Sequence, residues 1–349
     1  MGPSALLASV GRACAQETDA RILQLRVLDE IRRSVAFDAF AFVLTDPVTS
    51  VGTSPLADVP CLPELPRLIR LKYLTAVNRW TTLVDGFASL SAATGGELSR
   101  SLVWRELLQQ YDVVDVASAV FGDRFGCWAF LDLWRTAAHR PFTRSELTRL
   151  SSVIPVVTEG LRHAQAATFA LPRGMDPPLE GPVVLLLSPA LDVLAEAAPA
   201  IDYLRPLLPP AHDHPPIPAG AYNVAAQLLA HELGVDTSPA VARVHAGGGR
   251  WLALRAARPD QAGSLVEPNI AVTIEDASGG DRAALFVQAH ALSVREAELL
   301  THLDAGRATR DIAEQMHLSE HTIQDHLKMI FTKTGIRTRR SLLSHVRGR

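Results

Sequence analysis

The chain is poor in cysteine, in lysine and in long apolar runs. Its 349 residues hold three cysteines, Cys14, Cys61 and Cys127, far apart and without CxxC spacing. That excludes a disulfide framework and a CxxC redox or zinc site, and it suits a reducing compartment with buried, unpaired thiols. No apolar run approaches the roughly 18 residues that a membrane helix needs. The mildly apolar start, MGPSALLASVGRACA, has no Lys or Arg ahead of its apolar part and makes a poor signal peptide. A cytoplasmic location without membrane contact is therefore expected. Lysine occurs at Lys72, Lys328 and Lys333 alone. No Gly-Lys pair exists, which excludes a GxxxxGK[ST] nucleotide loop. No Ser-His-Asp order has motif support. His212 and His214 flank one Asp in a proline-rich loop (209–220), short of the three or four ligands a metal site needs. No catalytic residue, metal or cofactor is expected.

What remains is an ordinary globular composition, 48% hydrophobic and 20% charged, with a net charge of -3. The length suggests two or three domains. A slightly acidic total confines any nucleic-acid contact to a local surface.

The first segment runs to about residue 170. ETDARILQLRVLDEIRRSV (17–35) has helical apolar spacing at Ile22, Leu25, Leu28 and Ile31. FDAFAFVLTDP (37–47) and RFGCWAFLDLW (124–134) are strand candidates. Trp80, Trp104, Trp128 and Trp134 fall here, for core packing or a ligand pocket. SELTRLSSVIPVVTEGLRHAQAATF (145–169) repeats Leu147, Leu150, Ile154, Val157, Leu161, Ala164 and Thr168 at heptad spacing. That suits either a dimer seam or a long helix packed on its own domain, with Pro155 as a kink. LPRGMDPPLEGP (171–182) reads as a linker. Beyond it, GPVVLLLSP, RWLALRAARP and NIAVTIED are strands and AYNVAAQLLAHELG is a helix, as in a small α+β sensor-type domain.

From Gly280 the pattern is purely helical. Ser293 and Glu296 form a capping box, and Gly306 ends the helix they start. Thr309 is the expected cap of RDIAEQM. Ser319 caps HTIQDHLKMIFTKT, which Gly335 ends, and Thr338 caps the last helix. Two helices joined by the short turn His317-Leu318 make a helix-turn-helix, whose second helix enters the DNA major groove. Ile323, Leu327, Ile330 and Phe331 line one side of that helix; His321, Gln324, Asp325 and Lys328 line the other. Gln can pair with adenine, Lys with guanine and Asp with cytosine. Ser319 and Thr322 at the helix start offer donors to a phosphate. From Met316 onward seven basic residues oppose two acidic ones, +5 on a chain of net -3.

On these residues the sequence resembles the LuxR-type helix-turn-helix regulators. The match is LSVREAELL, then AGRATRDIAEQMHLSEHTIQDHLKMIFTKTGIRTRRSLL. It carries Ser293, Arg295, Glu296, Gly306, Ile312, Ala313, Ser319, Thr322, His326, Lys333, Gly335, Ile336 and Arg339 at the pattern positions. The resemblance implies that Gln324, Asp325 and Lys328 face bases. It also implies that Thr309, Thr322, His326 and Lys333 meet the DNA backbone, joined by Arg337 or Arg339. The last helix (339–347) resembles the family's dimerisation helix. Thr334 departs from a frequent Leu, and Asp325 aims a negative charge at a polyanion.

FDAFAFVLTDPVTSVGTSPLADVP, RLIRLKYLTAVNRW and DRFGCWAFLDLWR are similar to actinobacterial LuxR-type regulators with a GAF-like sensor, and the middle segment resembles a PAS-like domain. The implied fold is a multidomain α+β chain. Residues 1–170 form a GAF-like sensor, 171–182 a linker, 183–279 a PAS-like domain, 280–291 a linker helix and 292–349 a four-helix DNA-binding domain. The implied function is sequence-specific binding of promoter DNA by a homodimer, set by a signal or small-molecule ligand, with RNA polymerase as a further partner. Two other classes stay open: catalytic N-terminal domains with a regulatory DNA-binding tail, and a sigma-factor-like protein.

Overall fold

The computed structural model describes residues 3–83, 86–170, 181–196, 219–259 and 268–348. Most of the expected linker (171–180), as well as His212 and His214, lie outside the described residues.

The first unit begins with helices α1 (Pro3–Gln16) and α2 (Ala20–Arg32), strands β1 (Ala39–Thr45) and β2 (Gly52–Asp58), and α3 (Leu65–Leu74). It continues with β3 (Ala88–Ser89), α4 (Leu90–Ala93), α5 (Leu102–Glu106), β4 (Val113–Asp123), β5 (Gly126–Thr136), α6 (Arg144–Ser151) and α7 (Ile154–Thr168). The strands form an antiparallel sheet in the order β2-β1-β5-β4-β3. Both of its faces are covered, which is why β1 reads as unbroken AFAFVLT rather than as an alternation. Phe40 and Phe42 point to a core shared with Leu131, Leu133 and the helices α1, α2 and α7. Ala39 and Ala41 point the other way, to a core with Trp134 and α3 residues Leu68 and Leu71.

Two helical expectations are corrected. The run 145–169 is two helices, because Pro155 lies in the first turn of α7, where its missing N–H costs nothing. Its heptad seam packs inside the chain: Leu150, Val157, Leu161 and Ala164 are buried, and Leu147 and Ile154 pack against the same core as α1 and α2. The seam is not a free dimer surface. In α2 the core face is Leu23, Val27, Leu28 and Ile31, and Ile22 and Leu25 are exposed. Buried Gln24 instead donates from Nε2 to the Phe42 carbonyl at 3.0 Å.

The second unit holds β6 (Val183–Leu187), β7 (Val193–Glu196), α8 (Ala219–Glu232), β8 (Val241–His245), β9 (Trp251–Ala257) and β10 (Ile270–Asp276). Its antiparallel order is β7-β6-β10-β9-β8. The wiring repeats that of the first sheet, with the first and last strands paired at the centre and the second and third at the edges. α8 is apolar on nearly every side because it is covered on nearly every side. It packs on β9 and β10 and also on α3 and β2 of the first unit. The close approach needs Gly220, where a Cβ would stand 3.2 Å from Leu254 and 3.3 Å from the Thr53 carbonyl.

Buried ion pairs fasten the two units. Arg79 Nη2 meets Asp236 Oδ2 at 2.6 Å. Arg243 Nη1 meets the fully buried Asp46 at 2.9 Å, and its Nε reaches Asp281 Oδ1 at 2.8 Å. Asp281 belongs to the capping box that starts α9 (Gly279–Ala289). α9 leads to α10 (Val294–Asp304), α11 (Thr309–Met316), α12 (Glu320–Thr334) and α13 (Arg339–Arg347).

The expected linker helix is thus a packed element. α9 lies between α7 and α13, and Phe286 meets Phe169 edge-on while Phe169 stacks on Trp251. Arg282 on α9 donates to the carbonyls of Gly249 (2.9 Å), Val346 (3.2 Å) and His345 (3.2 Å). A side chain at Gly348 would strike its guanidinium, so that residue, in the left-handed region, caps α13.

Replacing Arg243 by Met would leave Asp46 buried without its cation. Urea unfolding should show a loss of about 3–5 kcal/mol. Pairing it with Asp46→Ala should recover part of that loss; an unchanged urea midpoint for Arg243→Met would contradict the interlock.

Candidate nucleic-acid interface

The four C-terminal helices form around one small core. Leu299, Leu300 and Leu303 of α10, Ile312, Ala313 and Met316 of α11, Ile323 and Ile330 of α12, and Leu342 and Val346 of α13 are all buried. The capping box is present, with Ser293 N donating to Glu296 Oε2 at 2.6 Å and Glu296 N to Ser293 Oγ at 3.3 Å. Thr338 caps α13 through Ser341 N at 3.1 Å. Thr309 does not cap α11. Ala308 holds that position, and Thr309 is the first helical residue. The turn between α11 and α12 is made by His317, whose φ of 55° reverses the chain.

Ser319 caps α12, its Oγ accepting from Thr322 N at 3.1 Å and lying 2.9 Å from Thr322 Oγ1. The exposed side of α12 carries His321, Gln324, Asp325 and Lys328, with His321 85%, Asp325 53% and Lys328 70% exposed. These form a network on one face. Asp325 Oδ1 accepts from Lys328 Nζ at 3.0 Å, and Oδ2 stands 3.5 Å from His321 Nε2. The Lys328 hydrogen bond holds the Asp325 carboxyl below its ordinary pKa. The negative charge therefore sits between two basic groups and orients Lys328.

Sequence reasoning missed Met329, 49% exposed and four residues beyond Asp325 on the same face. Its spacing alone could have found it. A bare thioether beside Lys328 suits contact with a thymine methyl.

Residues 290–346 match the family described as bacterial regulatory proteins, luxR family. Residues 290–346 are a LuxR-family domain. Over 122 residues the chain is also 30% identical to a protein of Streptomyces halstedii described as a probable HTH-type transcriptional regulator, GfsR. That match covers 35% of this chain and 42% of that relative.

Within the LuxR-family domain the expected backbone contacts divide. Thr322 and His326 are half-buried beside the exposed face of α12, Thr309 is half-buried at the start of α11, and Arg337 is exposed. Arg339 donates from Nη2 to the Arg307 carbonyl at 2.6 Å, tying α13 to the turn before α11. Lys333 is a pin: its Nζ lies 2.6 Å from Glu296 Oε2 and 3.1 Å from the Ala291 carbonyl. Arg347 binds Asp304 at 2.6 Å. Over residues 290–346 eight Lys and Arg face seven Asp and Glu, a net of +1. Lys328, Arg337 and Arg340 are among the domain's exposed basic residues.

Burial pushes the Glu296 carboxyl up, but Lys333 and the Ser293 N–H outweigh it and hold its pKa below 4.5. The stabilisation is complete above the unfolded value and is lost as pH falls through the folded one. Lys333→Met should lower the thermal midpoint at pH 7 and narrow its gap to wild type as pH falls through the folded pKa of Glu296. A midpoint equal to wild type at pH 7 would contradict the pin role of Lys333.

Proposed function

We propose that the chain is a sequence-specific DNA-binding transcription regulator that reads promoter DNA with α12. The observation that carries this is the row His321, Gln324, Asp325, Lys328 and Met329. It is exposed on a capped helix whose opposite side, Ile323 and Ile330, is locked into the LuxR-family core. Ser319 and the first N–H groups of α12 suit a phosphate, and the exposed Lys328 suits the polyanion. The description of the Streptomyces relative supports the same reading.

The first two units, residues 1–170 and 183–279, act in this proposal as GAF-like and PAS-like sensors of a small-molecule signal. The repeated strand order of their sheets supports a common sensor architecture. Within the first unit, Lys72 Nζ and Asp132 Oδ2 form a buried pair at 2.9 Å, with Trp80 under the ammonium. Such a pair in an apolar interior contributes little net stability, which favours a recognition role. The acting species is a homodimer that reads two half-sites, with RNA polymerase as a downstream partner.

Selection of random genomic fragments by the full chain at near-physiological salt should enrich a palindrome with half-sites about one helical turn apart. Lys328→Ala should cost ~1–3 kcal/mol of discrimination at one position. Equal retention of all fragments by wild type and variant would remove the base-reading assignment.

A further inference from the structure

Away from the reading face, a groove of about 350 Å3 lies between the end of α7, the end of α9 and the LuxR-family domain. Its lining includes Arg162 and His163 of α7, His290 after α9, Lys333 of α12 and His345 of α13, and no carboxylate among the described residues. The acids paired with these groups stand outside the lining: Asp123 3.1 Å from Arg162, Glu159 3.9 Å from His163 and Glu296 2.6 Å from Lys333. Phe169 and Ile336 provide apolar wall. The volume falls in the range of small-molecule sites, which favour junctions between domains.

Two imidazoles have capacity left. His290 Nε2 is buried without a partner among the described residues. His345 Nδ1 lies 2.7 Å from the Ser341 carbonyl. A carbonyl accepts only, so Nδ1 carries the proton and Nε2 is left for the groove. A buried polar nitrogen without a partner costs free energy, which a ligand can recover.

We propose that this groove binds a small organic acid, its head group among His290, Lys333 and His345 and its apolar body on Phe169 and Ile336. The acid either donates its proton to an imidazole nitrogen as a hydrogen bond or leaves it on the ring and pairs as the anion. The groove opens at the Gly335 end of α12. The fifteen residues of that helix put it roughly 22 Å from Ser319, so it is separate from the phosphate-facing end. Its walls come from α7 on one side and from α12 and α13 on the other. Occupancy therefore favours the arrangement in which the LuxR-family domain is docked. Binding itself does not rest on the DNA-reading proposal; an effect on DNA affinity does.

The test is calorimetric titration of the full chain with phenyl phosphate, benzoate and neutral benzyl alcohol. Saturable binding of at least one anion, and none of benzyl alcohol, is expected. Ala170→Trp, at an exposed position on the rim, should fill the groove and weaken the anion at least tenfold. His345→Gln should weaken it roughly tenfold. If the substitution at 345 disturbs α13, Ala170→Trp still decides. Absence of saturable heat for both anions, equal binding of benzyl alcohol, or wild-type affinity in Ala170→Trp would overturn the proposal. Adding the bound anion to the DNA selection then reports separately on regulation.

Discussion

The guanidinium of Arg282 stands where the second sheet, the helix α9 and the last helix of the chain meet. It is buried, it donates to three backbone carbonyls, and it lies over the Phe169 ring at the end of α7. A buried guanidinium must spend its donors on fixed acceptors, because each unspent one carries a desolvation cost. That requirement fixes the angle at which α13 crosses α9 and hence how the LuxR-family domain is held. One residue earlier, Asp281 reaches Arg243 and through it Asp46. Two adjacent residues of α9 therefore connect the first sheet, the second sheet and the DNA-binding helices.

The basic residues near the C-terminus serve two separate purposes. Lys333, Arg339 and Arg347 hold the four helices together by bonds to Glu296, Arg307 and Asp304. Lys328 and Arg337 are left at the surface. A domain of net +1 can still present exposed basic residues because most of its opposite charges lie elsewhere on its surface or are used internally.

The C-terminal helices were legible in the sequence because their signals are local. Ser293, Ser319 and Thr338 announce helix starts, and Gly306 and Gly335 mark ends. Thr309 misled because Ala308 takes the cap and the hydroxyl follows it. The two antiparallel sheets were half legible. β1 and β5 are apolar and aromatic, but β2 carries Pro55 at a sheet edge and β4 is built of Ala, Ser and Asp among its valines. Their strand character comes from cross-strand pairing, not from propensity. The Ile22 and Leu25 error has the same origin, since Leu23 and Val27 offer an equally good apolar face and the packing of α1 and α7 decides between them. The pin role of Lys333 was invisible because its partner Glu296 lies 37 residues away.

Packing of α9 makes the two sheet-bearing units and the C-terminal helices one mechanical body. Scanning calorimetry of the full chain beside Arg282→Met tests it most directly. The account predicts a single cooperative transition in wild type. In the variant the C-terminal helices should melt as a separate, earlier step, after a loss of about 1–3 kcal/mol at the junction. Independent melting of the C-terminal helices in wild type, or an unaltered profile in the variant, would contradict it.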